Sequence, residues 1–483
     1  MITDLPISKA MSDFANPPDH PRSAPKAAQA VQQALGALLA AVPAGERPAG
    51  LAVAYSGGLD SSVLLDAAAA FAAAHGLRLL ALHVHHGLSP HADQWLRHCE
   101  ARCDELGVPF FAERVSLAGV ADSGVEEAAR VARYAALGRM CREHGAGILL
   151  TAHHLDDQAE TVLLQLLRGS GLAGMSGMDA CNAAPGLLGD DATLIARPLL
   201  GMTRAQLEQY AAARKIAHIE DESNADVRYA RNALRHGVMP ALGSAFPGFQ
   251  QRLARAAGHA QGAQELLNEV AAQDLAQCRH EDHLLMPALR QLSEQRFFNL
   301  MRHWFALRGM RMPSAAWMQE MRAQLLQAGA EAQLCVSHPD GEVHRYRDRV
   351  FLAPRRTPPA EGEVVRLAWS GQEQLRVDAY YGWLRFESIG AGDARPGIDA
   401  AWLARQPLAV RGRDGGERVK LAANRPARSL KQHFQSADVP AWERPYLPLL
   451  FAGDELLFAA GIGMDCAHFS FAGERIVIGW QAD

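Results

Sequence analysis

A short stretch near the first predicted strand has the residue types that bind a phosphate group. It reads Ser56-Gly57-Gly58-Leu59-Asp60-Ser61, it follows the apolar run Leu51–Tyr55, and a helix-forming sequence follows it directly. Glycines let the backbone turn tightly, so that N–H groups approach an anion at the positive end of the helix. Asp60 is anomalous there, because a carboxylate repels a phosphate unless a cation lies between them. The stretch therefore predicts a phosphate site that uses Mg²⁺.

This loop differs from the two commonest phosphate-binding motifs. No Gly-Lys-Ser/Thr follows it, as a Walker A motif requires, and the third glycine of a dinucleotide-binding loop is missing. The alternative interpretation is an ordinary turn between a strand and a helix, since Gly-Gly and Ser-Asp are common turn residues.

A second polar cluster follows the predicted strand Ile148–Thr151. It reads His153-His154-Leu155-Asp156-Asp157 and stands at the start of a helix. Asp157 could simply cap that helix. If the strands form one parallel sheet, however, this cluster and the glycine loop lie at the same edge. Asp60 and one of Asp156 or Asp157 could then share a Mg²⁺ ion and the phosphate oxygens that it binds.

The order of strands and helices favours such a sheet. Strand-like and helix-like segments alternate from Leu51 to about Arg168, which is typical of a mostly parallel, Rossmann-like sheet with helices on both faces. The predicted strands are Leu51–Tyr55, Leu79–His83, Phe110–Glu113 and Ile148–Thr151. The segment Gly169–Leu194 is interpreted as a loop.

The remainder of the chain predicts further domains. Residues 1–26 are rich in proline and polar residues and are expected to be a disordered lead-in to an α/β domain over 27–248. Apolar positions spaced i, i+3 and i+4 predict a helical domain over 249–358. Short strands and one helix predict a small α+β domain over 363–483.

Composition limits the class of protein. The 483 residues carry a net charge of −5, with 49% hydrophobic and 21% charged residues, so nucleic-acid binding would depend on local basic patches. The seven cysteines form no C-x-x-C pair, which fits a reducing compartment. There is neither a signal-peptide pattern nor an apolar run long enough to span a membrane, so a cytoplasmic location is expected.

Several motifs together resemble one enzyme family. The loop at 56–61, His83–Leu88, Gly124–Glu126 with Arg130–Tyr134, and His153–Thr161 resemble the motifs of tRNA(Ile)-lysidine synthases. The resemblance covers about residues 51–250, extends more loosely through the helical domain, and returns near the C-terminus. It also includes Arg168–Gly171, Arg197–Leu200, Asp221–Asn224, Arg231-Asn232, Arg428–Lys431, Pro440–Trp442, Arg444, Pro448–Leu450 and Ala460-Gly461. The first fifty residues lie outside it, and His83-Val84-His85-His86 departs slightly from the family motif, in which an asparagine is common.

The resemblance implies a ligase that uses ATP and Mg²⁺. Cytidine 34 in the CAU anticodon of an isoleucine tRNA would attack the α-phosphorus of ATP, and free L-lysine would then displace AMP to give lysidine. Arg133 would stabilise charge on the α-phosphate. The implied catalytic residues are Asp60, Asp156, Asp157 and Arg133, the metal ligands are Asp60 and Asp157, and the ATP-binding residues are Ser56, Gly57, Gly58, Leu59, Asp60, Ser61 and His86.

A tRNA substrate requires basic surface. The segment Arg411–Lys431 has seven basic and two acidic residues, a net charge of +5, although such a run is often only a solvated face. The predicted tRNA-binding residues are Arg231, Arg411, Arg413, Arg425, Arg428 and Lys431. No stable protein partner is expected, and a homodimer is left open.

Two alternatives stay open from the residues alone. One is another enzyme that splits ATP into AMP and pyrophosphate, such as a tRNA thiolase or an amide-forming synthetase, although no cysteine follows a predicted strand. The other is a non-catalytic nucleotide- or RNA-binding protein. The carboxylates Asp60, Asp156 and Asp157 argue against it, because binding alone does not require metal ligands.

Overall fold

The computed structural model divides the chain into two compact units, Met1–Leu267 and Asn268–Asp483. The residues that it describes are 25–41, 50–85, 87, 89–116, 125–190, 192–220, 230–329 and 334–483. Most of the predicted lead-in over 1–26 therefore lies outside the described residues. The domain boundaries predicted from the sequence stay predictions.

The first unit is built on a six-stranded sheet in the order β3-β2-β1-β4-β6-β5, in which only β5 is antiparallel to its neighbour. In chain order the elements are α1 (Pro25–Ala41), β1 (Gly50–Ala54), α2 (Leu59–His75), β2 (Arg78–His85), α3 (Ala92–Leu106), β3 (Phe110–Arg114), α4 (Val125–His144), β4 (Ile148–Leu150), α5 (Leu155–Leu167), α6 (Leu172–Met175), β5 (Cys181–Ala183), α7 (Pro185–Leu188), β6 (Leu194–Ala196), α8 (Arg204–Arg214), α9 (Ala230–Ala233), a π-helical turn (Leu234–Val238), α10 (Met239–Ala245) and α11 (Phe249–Cys278).

Both faces of this sheet are covered, which explains the unbroken apolar sequence of its central strand. Leu51 and Val53 of β1 pack into one core with α2, whereas Ala52 packs into a second core with Tyr134 and Leu137 of α4. Alternate residues of a strand point to opposite faces, so a strand buried on both sides must be apolar throughout. The Rossmann-like fold class predicted from the sequence is confirmed.

One prediction about this unit is wrong in part. The segment Gly169–Leu194 is more than a loop, because it contains α6, β5 and α7 and ends where β6 begins. The three-residue strand β5 forms one edge of the sheet, next to the three-residue strand β6, which pairs with β4 from Leu194 to Ala196. Strands this short have no measurable sequence periodicity, so only their sheet partners reveal them.

The second unit begins within α11, at Asn268, and its first part has a five-stranded antiparallel sheet in the order β7-β8-β11-β10-β9 together with helices. Helix α13 shows why the sequence folds in this way, because it buries Phe297, Leu300, Met301 and Trp304 at helical spacing. The elements are β7 (Arg279–His280), β8 (His283–Leu285), α12 (Met286–Leu289), α13 (Glu294–Leu307), α14 (Ala315–Gln327), β9 (Leu334–His338), β10 (Gly341–Tyr346) and β11 (Arg349–Pro354).

The C-terminal part of this unit has two antiparallel five-stranded sheets and one two-stranded ribbon. Its elements are β12 (Val364–Leu367), β13 (Gln374–Val377), a 3-10 turn (Asp378–Tyr380), β14 (Gly382–Ile389), β15 (Gly397–Asp399), α15 (Ala400–Leu403), β16 (Leu408–Arg411), β17 (Arg418–Val419), β18 (Arg428–Ser429), α16 (Leu430–Ser436), a 3-10 turn (Arg444–Tyr446), β19 (Leu449–Ala452), β20 (Glu455–Ala459), β21 (Gly463–Met464), a 3-10 turn (Cys466–His468), β22 (Phe469–Ser470) and β23 (Arg475–Ala482). Within the described residues, no helix combines the length and apolar character that a membrane crossing requires.

Candidate active site

The glycine loop joins β1 to α2 and is held by its own serines. The Ser61 hydroxyl donates to the Gly58 carbonyl at 3.0 Å and lies 3.1 Å from the Ser56 hydroxyl, while the Ser62 hydroxyl donates to the Gly57 carbonyl at 3.2 Å. Gly58 is the N-cap of α2 and offers no side chain to the first backbone N–H groups of the helix. Those N–H groups have no acceptor within the helix, so they are available to an anion.

Gly57 is required by both conformation and space. Its φ is +85°, in the region that residues with a side chain rarely adopt, and a Cβ there would lie 2.8 Å from both Cys99 Sγ and Ile219 Cδ1. The backbone of Ile219 also donates to the Gly57 carbonyl at 2.9 Å, which supports the loop from behind. Gly58 differs, because the nearest atom to its added Cβ would be 3.6 Å away.

Asp60 points from the first turn of α2 toward the polar cluster. Its Oδ2 accepts a hydrogen bond from Arg204 Nη1 at 2.5 Å and lies 3.8 Å from His154 Nε2. Its Oδ1 is buried and has no hydrogen-bond partner. Burial raises the pKa of the Asp60 carboxyl above its ordinary value, against the lowering effect of His154 and Arg204. A charged carboxylate oxygen without a partner is costly and is therefore a candidate for ligand binding.

The second cluster begins α5 through a capping box. The N-cap is His154, whereas Asp157 is the capping residue considered from the sequence. The Asp157 N–H donates to His154 Nδ1, and the His154 N–H donates to Asp157 Oδ2 at 3.0 Å. Asp156 accepts from the Arg204 N–H at 2.8 Å and from Gln250 Nε2 at 3.1 Å. Asp156 is thus occupied in joining α5 to the start of α8.

Behind this cap lies a network of two largely buried carboxylates and two half-exposed arginines. Glu160, only 1% exposed, accepts from Arg231 Nε at 2.8 Å and from Arg235 Nε at 2.7 Å. Asp157 Oδ1 accepts from Arg231 Nη2 at 3.0 Å and from Arg235 Nη2 at 3.2 Å. Burial acts to raise the pKa of Asp157, but His154 and Arg231 outweigh it and hold the pKa below its usual value. Asp157 is therefore ionised at neutral pH.

His153 and Arg133 lie beside this network. His153 Nδ1 is 3.0 Å from the Thr151 hydroxyl, and burial lowers the pKa of His153 far below its ordinary value, although Asp157 opposes that effect. The imidazole is therefore neutral. Arg133 and Arg197 both contribute positive charge at His153. Arg133 itself is exposed, 5.4 Å above the Tyr134 ring, whereas Arg197 bonds the Asp179 carbonyl and Asn182.

The donor set fits a hard divalent cation at Asp60 better than at Asp157. Asp60 keeps a buried oxygen with no partner, and oxygen is the ligand that Mg²⁺ prefers. Asp157 uses both oxygens for Arg231, Arg235 and its own helix cap. It could bind a metal only if the arginines moved away.

Other predicted residues lie elsewhere or outside the described residues. His86 is outside them, and its neighbour His85 is buried, 3.2 Å from Asp93. Arg231, predicted to contact tRNA, lies in the buried carboxylate network. In the second unit Arg411 stacks over the Phe451 ring at 3.8 Å, and the other predicted tRNA-binding residues there, Arg413, Arg425, Arg428 and Lys431, are exposed, as is Arg418.

Two arginine partners of the predicted carboxylates and one neighbouring carboxylate are not among the residues predicted from the sequence. Arg204 is 144 residues from Asp60, Arg235 binds Asp157, and Glu160, which the sequence alone allows to be a surface residue, is buried. One signal was present: Glu160 is one helical turn after Asp156 and Asp157, so it must lie near them. Nothing in the local sequence identifies Arg204.

Comparison with known proteins identifies the family of the chain. Residues 27–242 match the family model described as the PP-loop domain, residues 284–351 match the TilS substrate binding domain, and residues 408–480 match the TilS substrate C-terminal domain. The chain is 44% identical over 90% of its length to a tRNA(Ile)-lysidine synthase of Ralstonia nicotianae, covering 93% of that protein. It is 42% identical over 91% of its length to the enzyme of that name from Burkholderia pseudomallei, covering 94% of it. A solved U34-tRNA thiolase from Methanococcus maripaludis is 16% identical, with a TM-score of 0.40 over 49% of this chain and 78% of the other. With identity and coverage this high among the lysidine synthases, the chain belongs to the tRNA(Ile)-lysidine synthase family.

Proposed function

We propose that this protein joins L-lysine to C2 of cytidine 34 in the CAU anticodon of an isoleucine tRNA, with ATP converted to AMP and pyrophosphate. The observation that carries the proposal is the unpartnered buried oxygen of Asp60, in the first turn after the glycine loop. A loop that binds phosphate and a carboxylate that lacks a cation are what a metal-assisted cleavage of ATP requires.

In the first step, the C2 carbonyl oxygen of the cytidine forms a bond to the α-phosphorus of ATP. The bond from that phosphorus to the pyrophosphate oxygen breaks, and pyrophosphate leaves. The first-turn N–H groups of α2, together with Ser56 and Ser61, form the cradle for the leaving pyrophosphate. Arg133, exposed and close enough to lower the pKa of His153, can stabilise charge on the α-phosphate.

In the second step, the ε-amine of lysine forms a bond to C2, and the C2–O bond breaks as AMP leaves with the oxygen. Lysine arrives as an ammonium ion and must give up a proton, to a carboxylate of the site or to water, before it attacks. Asp157 and Glu160 are the anionic groups that can attract this ammonium. Arg231 and Arg235 have 34% and 36% of their side chains exposed, so a substrate can draw them away from these carboxylates.

Mg²⁺ held at Asp60 would supply positive charge to the phosphate oxygens as pyrophosphate forms. The contacts of Asp60 determine which of its oxygens would hold the ion. Arg204 holds Asp60 Oδ2 and leaves Oδ1 free, and the ring of His154 lies between Asp60 and Asp157. The metal role of Asp60 is therefore part of the proposal, and that of Asp157 depends on release from its arginines.

The tRNA is proposed to bind the basic segment of the second unit. Arg413, Arg425, Arg428 and Lys431 are exposed there, on the ribbon β17–β18 and around α16. Arg411 is half-buried against Phe451, so it contributes positive electrostatic potential at the surface more than a direct contact with the tRNA. Arg296 and Arg311, in the helical part of this unit, are less available to a polyanion, because Arg296 is paired with Asp274 and Arg311 with Asp340.

Sulfur transfer, the activity of a thiolase, is disfavoured by Cys99. This cysteine is the one that packs against the loop at Gly57, but it is fully buried on α3. Burial raises the pKa of its thiol to about 12, so it is neither ionised nor accessible to a substrate.

The test is a transfer assay with radiolabelled lysine, ATP, Mg²⁺ and a CAU-anticodon isoleucine tRNA transcript. Label should become bound to the tRNA, and a transcript that differs only in uridine at position 34 should receive none. Absence of label from the CAU transcript, while the protein still consumes ATP, would reject lysine ligation. Equal labelling of both transcripts would reject cytidine 34 as the target.

A further inference from the structure

We propose that Cys335, Glu342 and His344 form a binding site for a zinc-type divalent cation in the second unit. Their ligand atoms, one thiol sulfur, one carboxylate oxygen and one imidazole nitrogen, all lie within 4.8 Å of one another. The site does not rest on the proposed ligase activity.

The geometry follows from the register of two antiparallel strands. His344 of β10 is directly opposite Cys335 of β9, and Glu342 is two residues before His344 on the same strand. Side chains two apart on a strand share a face, and directly opposed residues have Cβ atoms about 4.5–5.5 Å apart. The three side chains therefore converge on one face of the sheet because of backbone pairing.

The contacts already resemble a coordination shell. His344 Nε2 lies 3.0 Å from Glu342 Oε2, and the Cys335 thiol is within hydrogen-bonding reach of Glu342 and Ser337. In a tetrahedral zinc site the ligand atoms are about 2.0–2.3 Å from the metal, so pairs of them are roughly 3.3–3.8 Å apart. Because no two of these ligand atoms are more than 4.8 Å apart, the widest pair would have to close by at most about 1.5 Å, which a rotation of the exposed Cys335 side chain can supply.

The chemistry of the ligands selects the cation. A thiolate, an imidazole and a carboxylate are the three classes of ligand that zinc accepts, whereas Mg²⁺ and Ca²⁺ require oxygen. Three protein ligands leave a fourth position for water or another donor. A zinc-type ion is therefore expected, and it would cross-link β9 to β10.

The site is also held rigidly on one side. The buried His344 ring stacks on Trp442 with the ring centroids 4.2 Å apart and an angle of 10° between the planes. Tyr346 and Phe351 contact the same indole edge-on. Fixed ligand orientation raises metal affinity, because less conformational entropy is lost on binding.

A second group in this unit supplies an internal comparison. His280, Glu281 and His283 also lie within 4.8 Å of one another, but they belong to the β7–β8 hairpin and contain no sulfur. His280 and Glu281 are exposed. This group can bind cations only through nitrogen and oxygen, so a sulfur signal distinguishes the two groups.

Cobalt(II) titration of the reduced full-length protein tests the proposal. One equivalent should produce the near-ultraviolet charge-transfer absorption of a thiolate–cobalt bond, and zinc should displace it. Cys335→Ser should abolish the band. Cys466→Ser, at the other cysteine that is not buried, and His280→Ala should leave it unchanged. No charge-transfer band at one equivalent, or a band that survives in Cys335→Ser, would overturn the site.

The carboxylate ligand has its own test. Glu342→Gln keeps the shape of the side chain and removes its charge, so zinc affinity measured by competition with cobalt should fall more than about tenfold. Far-ultraviolet circular dichroism checks that the variant is folded. An affinity equal to that of the unchanged protein would exclude Glu342 as a ligand and contradict the three-ligand site.

Discussion

Two charged side chains with buried polar atoms, one in each unit, differ in the partners that those atoms have. Arg345 is 1% exposed, and its guanidinium donates to the carbonyls of Arg347, Leu325 and Ala328, which closes the C-terminus of α14. Asp60 also has a buried oxygen, but that oxygen has no partner. A buried charged group that is paired with backbone carbonyls, as Arg345 is, stabilises a fold, whereas a buried charged atom without a partner indicates a ligand site.

The largest effect expected from this contrast is at Asp60. Asp60→Asn should lower pyrophosphate release at least about 10³-fold, the upper range for loss of one preorganised electrostatic group. Its folded pKa is raised by burial, so ionisation destabilises the native state as the pH rises through that pKa. The variant should therefore be at least as stable as the parent at pH 7, and its advantage should shrink on acidification.

Pyrophosphate release checks the predicted loss of activity, and thermal unfolding measured from pH 7 downward checks the predicted stability difference. Asp66→Asn is the matched control, because Asp66 lies on the same helix but has Arg102, Arg214 and Tyr210 as partners. The Asp66→Asn variant should be less stable than the parent and should release pyrophosphate at the same rate. If Asp60→Asn instead unfolds the protein, the contrast with Arg345 is wrong.

The next effect is at Arg345 itself. Arg345→Met leaves buried carbonyls without donors and should cost about 3 kcal/mol of stability in the second unit. Urea unfolding followed by tryptophan fluorescence measures it, with Arg347→Met as control. Arg347 is exposed and paired with Asp438, so its removal should cost less than about 1 kcal/mol. Equal losses in the two variants would refute the capping role of Arg345.

The glycine loop gives a smaller but sharper comparison. Gly57→Ala should cost about 2–3 kcal/mol and weaken ATP binding, because it combines a φ of +85° with contacts at 2.8 Å. Gly58→Ala has a φ of −70° and an open Cβ position, so it should change stability by less than about 1 kcal/mol. Thermal shift with and without ATP separates the two, and a reversed order would contradict the loop geometry.

The smallest effect is expected at the tRNA surface. Arg425→Glu with Arg428→Glu should weaken tRNA binding and reduce the salt slope of its affinity by about 0.7–0.9 for each lost phosphate contact. Arg385→Glu, on the other antiparallel sheet, serves as control. Filter binding at several salt concentrations measures the slope. An unchanged slope would remove this segment from the binding surface.

The sequence was most informative where local pattern and chemistry coincide. Leu51–Tyr55, the glycine corner and Asp60 predict a strand, a turn and a metal-assisted phosphate site, because each is encoded within fifteen residues. The partners of Asp60 and Glu160 could not be predicted, since Arg204 and Arg231 reach them only through tertiary packing. The strands β5 and β6 were missed for a related reason, because three residues are too few to show a period.

The most direct measurement of the central claim is the fate of the α-phosphate of ATP. The full-length protein is incubated with the CAU-anticodon tRNA, Mg²⁺ and ATP that carries ³²P at the α-position, without lysine. Adenylation at the glycine loop predicts that label becomes attached to the tRNA and that pyrophosphate is released, and added lysine should then free the label as AMP. Formation of ADP and phosphate, with no label on the tRNA, would contradict cleavage at the α-phosphorus.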